Sequence, residues 1–259
     1  MKRILALILL LSAAALPAPA NAGSMVHFTQ DDQRVSGYLA LPKTQGTHAA
    51  LVVVHEWWGL TDWVKAQTDS LAKHGYVALA VDLYGGKVAT TSELAHQYSS
   101  GLTESAAVEK LAAAASFLRG RDDVRGHAVG TIGWCMGGKL AIRLGAEDPA
   151  IRAVVMYYGA PITDEEQIEA IQGSVLGHFG AEDKGPTAEQ AREFEAALKK
   201  AGKKSEFHVY QGAGHAFANP SNPFGGYRKE AARTAWKRTL TFLDRELKKA
   251  SIPKKQASD

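Results

Sequence analysis

The sequence predicts the α/β fold class: an open, mostly parallel β-sheet with α-helices on both faces. Four short apolar runs lack polar alternation, which is typical of parallel strands that are covered on both faces. Helical patterns separate these runs, and such alternation of strands and helices indicates an α/β sheet. With 259 residues and no linker, the chain is expected to form one large domain. The four apolar runs are residues 49–55, 77–81, 128–133 and 153–158.

The other elements follow in chain order. Residues 26–29 and 36–41 are expected to form an antiparallel hairpin at the start of the sheet, and residues 205–210 a late strand. A possible capping box formed by Thr187 and Gln190 predicts the start of one helix. The expected helices are residues 62–74, 103–119, 187–201 and 228–249.

The first residues have the three parts of a secretory signal peptide. Lys2 and Arg3 precede an apolar run at 4–16, and residues 20–22 (Ala-Asn-Ala) form a small-x-small cleavage site. We expect cleavage near Gly23 and export to the periplasm or the medium. The apolar run is shorter than the ~20 residues that span a bilayer. Because no cysteine near the cleavage site could accept a lipid, no stable membrane anchor is expected.

Composition and charge argue against two classes of partner. The chain is 46% hydrophobic and 22% charged, with a formal net charge of +3 that falls by two when Lys2 and Arg3 are removed. A balance this close to neutral argues against binding of nucleic acid or of a membrane surface. The predicted organisation is a signal peptide at 1–22, a domain at 23–250 and a flexible basic tail at 251–259.

The chain has a single cysteine, Cys135, so an internal disulfide is excluded. A lone cysteine is often a small buried hydrophobic residue, but its neighbours favour a nucleophile. The segment TIGWCMGG follows an apolar strand and opens a helix, which matches a nucleophile elbow with Cys in place of Ser. Gly133 and Gly137 stand two residues to either side, where this strained turn crowds the backbone. The N–H of Met136 would face the reacting carbonyl.

An elbow of this kind needs an acid and then a histidine later in the chain. Residues 175–183 form a strand followed by a loop that ends with Asp183, and His215 lies in a Gly-rich turn just after the strand at 205–210. His215 is favoured because ligands bind at the carboxyl edge of open α/β sheets. Glu182, in the same loop, is the alternative acid. Asp82 is expected to hydrogen bond within its own turn.

Five motifs occur along the chain: VVVHEWWG at 52–59, AVDLYGG at 80–86, IGWCMGG at 132–138, HFGAEDKGPT at 178–187 and GAGHAFANP at 212–220. These motifs, in this order, make the chain resemble the dienelactone hydrolase family of α/β hydrolases. The resemblance implies an α/β-hydrolase fold, a Cys135-His215-Asp183 triad, and an oxyanion hole formed by the N–H groups of Trp57 and Met136.

The resemblance also gives Glu56 a role that periodicity does not reveal. In this family, the acid at that position interacts with the resting thiol and is thought to help deprotonate it as substrate binds. A carboxylate that takes the thiol proton leaves the stronger nucleophile, here on Cys135. The alternative is that Glu56 is a solvated loop carboxylate.

The resemblance implies acyl transfer on a small ester or lactone. Thiolate attack would give an oxyanion and then a thioester, which water hydrolyses with His215 as base. No metal or organic cofactor is required for this chemistry. We favour a monomer, although the sequence leaves the oligomeric state open. The alternative function is a non-catalytic protein that binds a small ligand on the same fold.

The substrate-binding side chains depart from the family pattern. Residues that bind the substrate carboxylate in well-known members are replaced by Gly85, Ala216 and Asn219. Either Lys87 or Arg228 provides a different carboxylate clamp, or the ligand lacks a carboxylate.

Aromatic residues of the motif loops are expected to line an apolar or aromatic pocket. Each of them is also compatible with a position in the core. These residues are Trp57, Trp58, Tyr84, Trp134 and Phe217.

Overall fold

The structure, a computed structural model, describes residues 23–30 and 32–248, with only the backbone at residue 127. The predicted signal peptide at 1–22 and the predicted basic tail at 251–259 lie outside the described residues. None of the helices in the described ranges is long and apolar enough to cross a membrane.

Within the described residues, eight strands form one sheet in the spatial order β1-β2-β4-β3-β5-β6-β7-β8. β1 and β2 form the predicted antiparallel hairpin, β2 pairs antiparallel with β4, and all other pairs are parallel. The predicted open, mostly parallel sheet is therefore confirmed. The strands are β1 (Ser24–Gln30), β2 (Gln33–Ala40), β3 (His48–Val54), β4 (Tyr76–Val81), β5 (Val124–Trp134), β6 (Ala153–Tyr157), β7 (Ser174–Gly180) and β8 (Ser205–Tyr210).

Helices cover both faces of the sheet, as predicted. One hydrophobic cluster packs Leu111 of α3 and Leu140 of α4 against the sheet, and a second cluster packs Leu71 of α1 and Phe242 of α7 on the other face. The helices are α1 (Asp62–Lys73), α2 (Ser92–Ser100), α3 (Glu104–Arg119), α4 (Met136–Glu147), α5 (Glu165–Ala170), α6 (Ala188–Lys200) and α7 (Lys229–Leu243).

Three local features differ from or refine the predictions. The capping box of Thr187 and Gln190 is formed at the start of α6. The last predicted helix, at 228–249, is α-helical to Leu243 and continues as a π-helical turn at Asp244–Lys248. Helices α2 and α5 were not predicted, because each buries a single side chain and so has a weak apolar pattern.

The register of the parallel strands brings the functional loops together. Val54 pairs with Gly133, Trp134 with Tyr157, and Gly180 with Tyr210. The residues that follow β3, β5, β6, β7 and β8 therefore emerge along one edge of the sheet, where open α/β folds bind ligands.

Candidate active site

Cys135 occupies a strained turn between β5 and α4. Its backbone has φ 54° and ψ −120°, a left-handed φ that non-glycine residues rarely adopt. A Cβ built on Gly133 would clash with the carbonyl group of Gly137, and one on Gly137 would clash with the carbonyl oxygens of Val54 and His55. Both glycines are therefore needed for the chain to turn this sharply.

His215 lies between Cys135 and Asp183. Its Nδ1 is 2.9 Å from Asp183 Oδ2, and its Nε2 is 3.1 Å from Cys135 Sγ. Asp183 is only 6% exposed, and its other oxygen accepts a hydrogen bond from the Gly185 N–H at 3.0 Å. Glu182, the alternative acid, is exposed to solvent. The three side chains thus lie in continuous hydrogen-bond contact in the order Asp183, His215 and Cys135.

The environment of His215 favours the imidazolium form. Partial burial lowers the pKa of His215, but hydrogen bonds to Asp183 and Cys135 and their negative charges outweigh it and raise the pKa to about 10. Both ring nitrogens then act as donors, one to the carboxylate and one to sulfur. This arrangement suits a histidine that accompanies a thiolate.

Glu56, directly after β3, is buried rather than solvated, with 2% of its surface exposed. Tyr158 Oη donates to its Oε1 at 3.4 Å, and Asn219 Nδ2 donates to its Oε2 at 2.5 Å. Burial raises the pKa of Glu56 to about 7, partly opposed by these hydrogen bonds and by His215. In the described residues, the Cys135 thiol is hydrogen bonded to His215 and not to Glu56.

Tyr158 is a site residue that the sequence reasoning missed. It is fully buried, has a φ of 38°, and packs its ring edge-on against His215 with 5.1 Å between the centroids. The prediction extended the strand to residue 158, whereas β6 ends one residue earlier. A polar aromatic residue at the end of a strand that neighbours the elbow strand was the available signal.

The expected oxyanion-hole residues, Trp57 and Met136, lie on segments that touch each other. Met136 is the first residue of α4, so its N–H has no acceptor within the helix. Gly137 lies so close to the carbonyl oxygens of Val54 and His55 that an added Cβ would clash with them. The start of α4 is therefore next to the loop that carries Trp57.

Two of the expected pocket aromatics lie beside these segments. Tyr84 Oη donates to Met136 Sδ at 3.4 Å. Trp58 packs edge-on against Trp57, with 5.1 Å between the ring centroids, and lies 5.8 Å from the exposed ring of Phe224. The rings of Trp57, Trp58 and Phe224 thus form an aromatic wall beside the candidate oxyanion-hole residue Trp57. Trp58 and Tyr84 are themselves largely buried, at 7% and 9% exposed.

The other two expected pocket aromatics, Trp134 and Phe217, are not brought to such a wall. They are 1% and 0% exposed and belong to the core on the face covered by α1 and α7. Trp134 packs against Trp63, and Phe217 packs against Tyr210. The expectation that Trp134 and Phe217 line the pocket is therefore wrong. Successive strand residues point to opposite faces of the sheet, so Trp134, the last residue of β5, points into the core, and the chain turns at the next residue.

The candidate carboxylate clamps have other partners. The guanidinium of Arg228 donates to the carbonyl oxygens of Gly212, Gly225 and Tyr227, so it holds the loop that follows His215. Lys87 Nζ lies 5.5 Å from the ring centroid of Tyr98. Within the described part of the chain, no group of three or more His, Cys, Asp or Glu side chains is arranged to hold a metal ion.

Comparisons with known proteins find similar sequences. The model of the dienelactone hydrolase family matches residues 35–247. A protein of Methylorubrum extorquens, named as a carboxymethylenebutenolidase, is 30% identical over 82% of this chain and 77% of its own length. A Synechocystis protein with the same name is 28% identical over 87% of this chain and 97% of its own length.

Solved structures share the fold. A Klebsiella pneumoniae protein, named as a dienelactone hydrolase, superposes with a TM-score of 0.78 at 23% identity and covers 87% of this chain and 99% of its own. A thermophilic esterase of Thermogutta terrifontis superposes with a TM-score of 0.66 at 17% identity, over 90% of this chain and 95% of its own. At these identities, the likeness is one of fold.

Proposed function

Because the chain belongs to the dienelactone hydrolase family, we propose that it hydrolyses small esters or lactones with Cys135 as the nucleophile. The observation that carries the proposal is the position of His215, which is hydrogen bonded at once to Asp183 and to the Cys135 thiol. A carboxylate, an imidazole and a nucleophile in this order are the arrangement that activates a side chain for acyl transfer.

In the acylation step, Cys135 Sγ attacks the carbonyl carbon of the substrate and forms a C–S bond. The carbonyl electron pair moves to oxygen, and the N–H groups of Trp57 and Met136 stabilise the oxyanion. The intermediate then collapses, the C–O bond breaks, and the leaving oxygen takes a proton from the His215 imidazolium. The product of this step is a thioester, and in a lactone the leaving alcohol stays attached to it.

In the deacylation step, His215 serves as a base. Formation of the thioester removes the negative charge of Cys135, which is one of the groups that raise the pKa of His215. Neutral His215 can then take a proton from water as the water oxygen attacks the thioester carbonyl carbon. The tetrahedral intermediate collapses, the C–S bond breaks, and the carboxylic acid leaves, which restores the Cys135 thiolate and the His215 imidazolium. Asp183 keeps the imidazole oriented, with Nε2 toward the reacting atoms.

Hydrolysis and the nucleophile can be tested together. The protein is assayed against chromogenic esters and lactones, including dienelactone, before and after treatment with one equivalent of a thiol alkylating agent. Because Cys135 is the single cysteine and its thiol is partly exposed, we expect alkylation to abolish turnover and substrate to protect against it. A cysteine that reacts only after unfolding would contradict the proposal. Stoichiometric binding of these compounds without product would favour the non-catalytic binding protein.

We also propose that the protein acts outside the cytoplasm. The support is the order of basic, apolar and small-x-small segments in residues 1–22. Mass spectrometry of the protein from the exported fraction should give an N-terminus near Gly23. Protein that retains residues 2–20 in that fraction would contradict the proposal.

A further inference from the structure

The two oxygens of the Glu56 carboxylate are held by neutral donors from different loops. Tyr158, after β6, donates to Oε1, and Asn219, in the loop after β8, donates to Oε2. Glu56 is 2% exposed and Asn219 is 3% exposed, so bulk water does not take over these contacts. The titratable groups that act on this carboxylate are Tyr158 and His215. Tyr158 is in turn influenced by Cys135, and the His55 ring bonds the backbone carbonyl oxygen of Glu56.

Asn219 also organises the turn that follows His215. Its Oδ1 accepts from the Ser221 N–H at 2.8 Å, and its own N–H donates to the Ala216 carbonyl oxygen at 3.0 Å. Ala216, next to His215, has a left-handed φ of 58°. Such a conformation persists only where surrounding contacts hold it. Asn219 therefore joins the Glu56 carboxylate, through its side chain, to the turn beside His215, through its backbone N–H.

We propose that Asn219 is a positioning residue that fixes the Glu56 carboxylate beside the triad and favours its charged form. An amide N–H can donate but cannot accept, so the Oε2 that it faces is kept unprotonated. A proton taken up by Glu56 therefore lies on Oε1, where the Tyr158 hydroxyl oxygen can accept from it. The use of this carboxylate in catalysis rests on the proposed function, whereas the contact itself does not.

Three variants distinguish the loss of the hydrogen bond to Glu56 from the loss of the contact within the turn. Asn219→Ala removes the donor and the turn contact. Asn219→Asp keeps an oxygen for the Ser221 N–H but replaces the donor to Glu56 with a carboxylate. Asn222→Ala is the matched control, because Asn222 lies in the same loop but its side chain bonds the Phe224 N–H instead of Glu56.

The direct measurement is the titration of Glu56 by carboxyl ¹³C NMR of glutamate-labelled protein, with the resonance assigned through Glu56→Gln. In the unmodified protein, the midpoint is expected at about 7. Asn219→Ala should move it upward by about one pH unit or more, the usual effect of a lost hydrogen bond to a charged group. Asn219→Asp should move it further, because two adjacent carboxyls share a proton. Asn222→Ala should leave it unchanged.

The second measurement is the pH profile of kcat/KM. With Asn219→Ala, the midpoint of the acid limb should shift to higher pH by the same amount as the Glu56 titration. Much of the lost activity should therefore return at high pH. A purely structural role would lower kcat/KM by one factor at every pH and overturn the proposal, as would an unmoved Glu56 titration. If the titration moves but no ester or lactone is hydrolysed, the proposed function fails and the role of Asn219 stands.

Discussion

Two histidines near the carboxyl edge of the sheet, His178 and His215, have opposite electrostatic environments. His215 contacts Asp183 and Cys135, and its pKa is raised to about 10. His178, in β7, is fully buried, and its ring nitrogens lie 3.0 Å from Thr239 Oγ1 and 2.9 Å from Tyr210 Oη. Its partners are neutral hydroxyls.

The difference shows that hydrogen-bonded acidic partners can outweigh the effect of burial on the pKa of a histidine. Burial lowers the pKa of both rings. For His178, burial and charge interactions with His208 and Arg238 act in the same direction, so its pKa lies well below the usual value. For His215, hydrogen bonds and charge interactions with Asp183 and Cys135 outweigh burial. A charged imidazole is therefore found where the loops bring acidic groups together, which is the candidate active site.

Removal of the thiol is expected to have the largest effect on His215. Cys135→Ala should lower turnover by about 10⁴-fold or more, because no nucleophile remains. The pKa of His215 should fall, since one of its two anionic partners is lost, while His178 is unaffected. Ester hydrolysis and imidazole NMR measure the two effects. Cys135→Ser is expected to keep weak activity. Undiminished hydrolysis by the alanine variant would overturn the catalytic assignment of Cys135.

A smaller effect is expected when the acid partner is neutralised. Asp183→Asn should fold normally and lower kcat by about 10³- to 10⁴-fold, because His215 loses the group that sets its tautomer. Glu182→Gln is the matched control in the same loop and should retain near-normal activity, since Glu182 is exposed. The reverse result would assign the acid to Glu182.

The smallest expected effect is on stability and concerns His178. Its pKa is lowered on folding, so its contribution to stability is present above the unfolded value of about 6.5 and is lost as the pH falls below it. This group alone should lower the free energy of unfolding by up to about 1.4 kcal/mol per pH unit. His55, with a pKa lowered to about 4, acts with the same sign.

Urea unfolding at pH 5 and pH 7 checks this contribution. His178→Gln should be less stable at pH 7, because buried hydrogen bonds are lost, but should show a weaker loss between the two pH values. His74→Gln, at the exposed end of α1, should keep the full pH dependence. Equal pH dependence in all three proteins would mean that His178 does not remain neutral in the folded state.

The sequence by itself predicted the elements whose causes are local. Apolar runs without polar alternation predicted the buried parallel strands, because that pattern reflects burial on both faces. Gly133 and Gly137 predicted the elbow, because steric crowding at two residues from Cys135 is a property of the turn itself. The order of nucleophile, acid and histidine then predicted His215 and an acid in the loop after residues 175–180, and the resemblance to the dienelactone hydrolase family favoured Asp183 over Glu182.

The side chains that meet across loops could not be predicted before the fold was known. Tyr158 and Asn219 are separated from Glu56 by 102 and 163 residues, so no local pattern links them. The side chains of Trp134 and Phe217 lie in the core because α1 and α7 cover the face of the sheet on which they pack. Such contacts are set by strand order and register, which join distant segments at one edge, and they fix the protonation of Glu56 and His215 through partners that the sequence does not reveal.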